Sequence, residues 1–552
     1  HFRAGRLKEA SLCFEQALAD DPKNAEALNN LGVIAYQQRE VGRAAQFFSQ
    51  ALELDPFYID ALLNLCQVLR DSGRLAQAQP LLEAVAARYP DNEEITALIS
   101  QIRSGGNAIT SSVTQAGAVD QTQGVTGVDL RKFPYPYRAA FSISNDIDLT
   151  SWQAFADIHT FLCTENDTPL GRGLGLPLSS SFFLFNFSEQ EQFAYFADAD
   201  CNDGPQRRQI EHLIRTGYLD NIHGFGSFTQ AQPFRREFAE RAYRILQERG
   251  LQVPIWSCHG DESSTAQVDS TGQVAEAKGD DPKAPEYHFD LTREHGVRYL
   301  WQWHQGGISN VIGQEQSSFA DFGNKCFIPT AEAGRKQYHS VDRLALAQNV
   351  EQNRLLTPLA LRDGSNIYNF KRFNAGLRRC NAATLAQQLR PEFLTELIQS
   401  GAYSILYQHL GGARTSADGP PVVNRPPYFD HQAKAALLYV SELYHTHYLW
   451  VAPVAWLLDY NYLTRHLHWH CEQTEEHIKI VIEKAADPFL QRDWVPSEAE
   501  CAGLSFFTPD PSRTRLFIGE AEVKSIQRNA ADHAGRASIS IPLRRMPDFV
   551  VD

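Results

Sequence analysis

The sequence predicts a multidomain chain: an all-α solenoid of helical repeats, then an α/β body, then a small β-rich C-terminal region. Three observations predict it. Over residues 1–103, small and bulky apolar residues recur with a period of 34. Strand-like apolar runs then alternate with amphipathic helical patterns, the mark of a mostly parallel sheet with helices outside. From about residue 468, short alternating segments such as His477-Ile478-Lys479-Ile480-Val481-Ile482 and Ala537-Ser538-Ile539-Ser540-Ile541 take over.

In the first region Pro22, Pro56 and Pro90 are evenly spaced. So are Ala10, Ala44 and Ala78; Phe14, Phe48 and Leu82; and Ala17, Ala51 and Val85. Small residues at fixed positions let two helices approach, bulky ones fill the groove between them, and proline ends each unit. With the Leu31-Gly32 pair, residues 1–103 resemble the tetratricopeptide repeat, and 93–103 reads as a capping helix. The resemblance implies a concave groove for a protein partner. A plain spacer or dimerisation arm is the alternative. Residues 104–130 carry Gly, Ser, Thr, Gln and Val with almost no large apolar side chain, the composition of a flexible linker.

The body, 131–467, opens with Phe133-Pro134-Tyr135-Pro136-Tyr137. Strands are expected at 138–145, 181–187, 218–222, 252–258, 297–302, 366–372, 402–408 and 448–452, with helices at 191–199, 235–249 and 385–400. The sheet is then a barrel or doubly wound, and functional residues gather at the C-terminal ends of its strands. The polar stretch 263–290 reads as a long loop on that face, a candidate lid or binding loop.

The bulk numbers narrow the function. The net charge is −15 with no long basic run, which argues against a nucleic-acid surface. Nine cysteines occur without a CxxC pair, so neither a disulfide framework nor a zinc knuckle is expected, and a reducing, cytoplasmic setting fits. No apolar stretch reaches the length of a membrane span. The chain begins with His1 inside a repeat and is expected to lack its true N-terminus.

The chemistry concentrates in Ser144-Asn145-Asp146-Ile147-Asp148-Leu149-Thr150, at the end of the first body strand. Residues two apart on a strand share a face, so Asp146 and Asp148 are expected to point into one cavity. Two such carboxylates repel unless a metal or a shared proton compensates. The alternative is that Asp148 or Thr150 caps a helix starting near Trp152. Other strands end in histidine: His223, His259, His304 and His409, three of them closely followed by glycine. Any one of them taken alone is more readily a hydrogen-bonded structural histidine than a ligand. Together, an aspartate and two histidines form a familiar ligand set for a divalent cation such as Zn²⁺. A second carboxylate is then free to act as general base and a separate histidine as acid.

This order, over roughly residues 131–460, resembles the NodB-homology polysaccharide deacetylases. The resemblance implies an irregular (β/α)₇ barrel. It makes Asp146 the base, Asp148 and His223 metal ligands, and His409, closing Ile405-Leu406-Tyr407-Gln408-His409, the acid. The chain departs from the pattern twice. One residue is inserted between the two acids, and Ser227 stands where the family places a second ligand histidine. His259, one strand on, is inferred as the replacement ligand. Asp261, Trp301, His304 and Arg414, with Arg372, are candidate substrate contacts. For Asp261 the alternative is orienting His259 or capping a loop, for Trp301 core packing, and for the arginines ion pairs. The expected function is a metal-dependent hydrolase that removes an acyl group from a carbohydrate, with Zn²⁺ the first candidate cofactor and a protein partner on the repeats. A scaffold or carbohydrate-binding protein with an inactive barrel is one alternative. A metal-free glycoside hydrolase using Asp146 and another carboxylate is the other.

Overall fold

The computed structural model describes residues 7–71 apart from 22–23, 38–40 and 55–57, positions 78, 82 and 85, and residues 127–551 apart from 266–276, 303–354, 374–379 and 412–423. The segment read as a capping helix, residues 104–126 of the linker, His304 and Arg414 lie outside the described residues. The chain divides into two compact units.

Among the described residues the first unit holds four helices, α1 (Leu7–Asp20), α2 (Ala25–Gln37), α3 (Val41–Leu54) and α4 (Ile59–Asp71). The 34-residue spacing is explained by their packing. Ala44, Ala51 and Phe48 of α3 are buried, as are Ala78, Leu82 and Val85 one repeat later. Gly32 lies so close to α3 that a Cβ there would sit 2.5 Å from the Phe48 ring. A buried hydrogen bond from Asn64 Nδ2 to Asn29 Oδ1, 3.0 Å, ties α4 to α2.

In the second unit nine strands among the described residues form one sheet: β1 (Ala139–Asn145), β2 (Ser180–Phe182), β3 (Leu219–His223), β4 (Ile255–Ser257), β5 (Tyr299–Trp301), β6 (Leu356–Ala360), β7 (Asn366–Phe370), β8 (Tyr403–Gln408) and β9 (Leu449–Val451). The order is β6-β7-β5-β4-β3-β2-β1-β8, with β9 also on β1. Every pair is parallel except β6 with β7. The sheet curves into a half-barrel. Just past β7, the Phe373 N–H donates to Ile405 O and its carbonyl accepts from Tyr407 N, both at 2.9 Å, so that end of the sheet meets β8. The register sets His223 beside Ser257, Ser257 beside Trp301 and Asn145 beside Gln408. One rim therefore collects the C-terminal ends.

Three local expectations fail. Residues 191–199 are not helical; the helix lies at Arg207–Thr216. Phe193, Tyr195 and Phe196 are all buried, and the Tyr195 and Phe196 N–H groups bond to Phe183 O and Leu184 O. Burial of three aromatic rings outweighed a helical periodicity. The segment 385–400 is two helices, Leu385–Gln388 and Pro391–Gln399, because Pro391 cannot continue the first and starts the second. The run 181–187 breaks after Phe182, and Phe185–Asn186 pairs instead with Gly226–Ser227.

Residues 129–130, in the stretch read as linker, are a strand paired with Ser505–Phe507. The C-terminal strands form two small sheets. Ile480, Ile482, Leu504 and Phe506 of this region share one core with Ile255, Tyr299, Tyr368 and Ile405 of the parallel sheet. Among the described residues no disulfide joins two cysteines. Among the described residues no helix is long and apolar enough to cross a membrane.

Two predictions follow from packing. Gly32→Ala forces a methyl group into Phe48 and should cost about 1–3 kcal/mol. Urea denaturation of the full chain followed by helical circular dichroism reads this; an unchanged midpoint would refute the close approach of α2 and α3. The second concerns Asp220, which accepts hydrogen bonds from Ala455 N and Ser179 Oγ, both 2.8 Å, at the start of helix Val454–His466. Burial lifts its carboxyl to about 7. The folded chain then holds this proton where the unfolded chain has lost it, so stability falls as pH rises from about 4 to about 7. Asp220→Asn should flatten that fall, measured as denaturation midpoints across the same pH interval.

Candidate metal centre

Strand β1 ends at Asn145, whose side chain accepts from Leu410 N and donates to Ser180 Oγ, both 2.8 Å. The chain then leaves the sheet. Asp146 N still donates to Gln408 O at 2.8 Å, which keeps the loop beside β8. Leu149 takes a left-handed conformation, φ 59, and its N–H is met by Gln192 Oε1 at 3.0 Å. Such a backbone persists only where its surroundings hold it. Asp146 and Asp148 therefore meet through the path of this loop, not through the pleat of a strand. Neither Asp148 nor Thr150 caps the next helix; Ser151 does, accepting from Ala154 N.

Asp148 is the hub. Its Oδ2 lies 3.0 Å from His223 Nε2 and 3.4 Å from His409 Nε2, and its Oδ1 lies 3.0 Å from His259 Nε2. The first histidine ends β3, the second follows β8 and the third follows β4. Gly224 makes the third possible: its φ is +54, and a Cβ there would be 2.9 Å from His259 Cβ. The His223 ring stacks on Phe183, and the His259 ring meets the same phenyl edge-on. His409 Nδ1 is 3.0 Å from the Cys380 carbonyl. A carbonyl only accepts, so Nδ1 carries the proton and Nε2 faces the acids.

Asp146 is wholly buried. Arg372 Nη1 donates to both its oxygens, at 2.9 and 3.1 Å, and to Ser144 Oγ at 2.9 Å. The guanidinium is sandwiched, 3.5 Å from the Trp301 ring centre and 4.3 Å from that of Tyr407. Trp301 is thus buried packing for an arginine and not a platform open to a sugar. Arg372, read from sequence as a substrate contact, is instead the counter-charge of Asp146. Burial pushes the Asp146 carboxyl up, but Arg372 foremost, with His223 and His409, holds it below the usual carboxylate range. Burial also opposes charge on Asp148, and its imidazoles outweigh that and hold it well below. For His259 burial disfavours the proton, yet Asp148 and Asp261 raise its value to about 10.

This donor set fits a small divalent cation. Asp148, His223 and His259 offer one carboxylate oxygen and two imidazole nitrogens within 4.8 Å of one another, and Asp146, Asp148 and His409 form an overlapping group. Zinc ligands stand about 2.0–2.2 Å from the ion, hence roughly 3.3–3.6 Å apart in a tetrahedron. The separations of His223 Nε2 from Asp148 Oδ2 and of His259 Nε2 from Asp148 Oδ1, 3.0 Å each, are somewhat shorter than that. Ser227, at the position of the absent histidine, sits in the short pairing with Phe185–Asn186. Asp261 approaches His259 Nδ1 to 3.9 Å. Sequence reasoning missed two supports: Tyr407, whose hydroxyl is 3.3 Å from His409 Nε2, and Gln192. The first was legible, since Tyr407 stands two residues before His409 where β8 runs out, and positions two apart in extended chain share a face. Nothing local marks the second.

The comparisons speak to the other end of the chain. Residues 1–59 and 35–102 match the tetratricopeptide repeat family. The N-terminal helices are tetratricopeptide repeats. The chain is similar to the peroxisomal targeting signal receptor of Yarrowia lipolytica, 33% identical over 88 residues, which is 16% of this chain and 15% of that protein. It is also similar to the protein O-mannosyl-transferase Tmtc3 of Drosophila melanogaster, 37% identical over 87 residues, 16% of this chain and 9% of that one. The chain thus spans less than a sixth of the length of these two curated relatives. Among solved structures, the second TPR domain of human RPAP3 in complex with an HSP70 peptide is 24% identical with a TM-score of 0.17, covering 18% of this chain and 85% of that one.

Removing the counter-charge tests the site's electrostatics. Arg372→Met leaves Asp146 charged and alone in the interior, which should cost about 3–5 kcal/mol. Adding Asp146→Asn should restore part of the loss. Chemical denaturation at neutral pH measures both, and a fully stable Arg372→Met variant would contradict the pairing.

Proposed function

We propose that the second unit is a metal-dependent hydrolase of the polysaccharide-deacetylase kind, removing an acyl group from a carbohydrate, while the repeats hold a protein partner. One observation carries the reading: the Asp148 carboxylate lies between the Nε2 atoms of His223 and His259, each at 3.0 Å. The order of the site elements supports it, with the acid pair after β1, a histidine after β3 and a histidine after β8. The two hydrogen bonds of Phe373 to β8 also support a barrel-like sheet.

Asp148, His223 and His259 would hold the cation, which when bound polarises the acyl carbonyl and brings a water's pKa toward neutrality. Asp146, kept ionised by Arg372, is the base that takes a proton from the attacking water. Its Oδ2 lies 3.6 Å from His223 Nε2, on the side of the cluster. His409, with Nδ1–H fixed on Cys380 O, turns Nε2 inward to protonate the departing amine or alkoxide. Trp301 and Tyr407 keep water from Arg372, which strengthens its hold on the base.

Elemental analysis of the purified chain, paired with hydrolysis of an N-acetylated oligosaccharide, tests the reading. Wild type should carry close to one divalent ion, and Asp148→Ala and His223→Ala should each lose it. Asp146→Asn and His409→Ala should keep the ion and lose roughly 10²–10⁴-fold in kcat. Unchanged metal content in both ligand variants sinks the proposal.

A further inference from the structure

An imidazole that binds a cation through Nε2 must keep its proton on Nδ1, and a buried N–H needs an acceptor. The three imidazoles of the cluster meet this demand differently. His409 Nδ1 is satisfied by Cys380 O. His223 Nδ1 has no hydrogen-bond partner among the described residues, and its ring lies flat on Phe183. His259 Nδ1 is likewise buried without a hydrogen bond, but it faces a group in the same condition: Asp261 Oδ2, buried, unpartnered and 3.9 Å away.

The loop fixes Asp261 in that pose. Gly260, φ +91, turns the chain back after His259, and its N–H donates to Ser264 Oγ at 2.9 Å. The other carboxylate oxygen of Asp261 accepts from Ser263 N at 3.0 Å and Ser263 Oγ at 2.5 Å. One oxygen is therefore anchored and the other is left aimed at the imidazole. Closing from 3.9 Å to a charge-assisted hydrogen bond of about 2.8 Å needs a side-chain adjustment of roughly 1 Å.

We propose that Asp261 is the positioning residue for His259: it accepts the Nδ1–H, fixes the tautomer, and leaves the Nε2 lone pair for the cation. It acts on the metal through His259 and does not touch substrate. This rests on the metal-centre reading above and deepens it. The third ligand arrives as a histidine–aspartate unit on the β4 loop, while Ser227 occupies the place where a second histidine after β3 would stand.

The test is Zn²⁺ affinity of the full chain, read by competition with a chromogenic zinc chelator and without any activity assay. Asp261→Ala should weaken binding by about 10–100-fold. Asp261→Asn, whose carboxamide oxygen accepts the same N–H, should lose less. In a His259→Ala background Asp261→Ala should cost nothing further, which a merely structural role would not produce. Wild-type affinity in Asp261→Ala overturns the inference, and so does an equal loss in both backgrounds. Asp261→Ser replaces the alanine variant if the latter does not fold. Wild type that binds no zinc, or binds it equally well after Asp148→Ala, fails the metal-centre reading itself and is told apart in this way.

Discussion

Two carboxylates held side by side in a protein interior cannot both stay charged unless positive charge is built around them. That constraint organises the centre of this molecule. Asp146 is met by Arg372, a guanidinium with no exposure of its own that is clamped between Trp301 and Tyr407. Asp148 is met by three imidazoles. The two solutions differ in kind. A guanidinium is permanently charged and makes Asp146 a fixed anion. Imidazoles gain and lose a proton near neutral pH, so the positive charge around Asp148 is adjustable.

The parallel sheet is what makes this gathering possible. Strands running the same way end on the same rim, so residues from β1, β3, β4, β7 and β8 meet without any of them being near in sequence. The small geometric allowances matter as much as the charges. Gly224 leaves room for His259, and the left-handed turn at Leu149, held by Gln192, sends Asp148 back toward the rim. The C-terminal region shares a core with the sheet, through Ile480, Leu504 and Phe506, and so helps fix the strands from which the site loops project.

Much of this was legible. The 34-residue period gave the repeats because close helix packing imposes small residues at Gly32, Ala44 and Ala51, and such a demand leaves a direct trace in composition. Most body strands lie within a residue or two of their expected ends, since apolar runs bounded by polar rim residues mark them plainly. The residues at those ends, Asp148, His223, His259 and His409, do converge. The failures share a cause. The segment 191–199 has a helical pattern, but its backbone groups bond to Phe183 and Leu184. Trp301 has the composition of a sugar platform and the position of a core residue.

By itself the sequence determined the periodic elements and the types of side chain at each strand end, because those follow from local spacing and residue chemistry. Only the tertiary structure decided which charges face one another: that Arg372 belongs to Asp146, that Trp301 covers it, and that all three imidazoles turn their Nε2 atoms to the one carboxylate of Asp148. Partner choice across more than two hundred residues, as between Asp146 and Arg372, is settled by packing and by the cost of leaving a buried charge unmatched, and neither leaves a periodic trace in the chain.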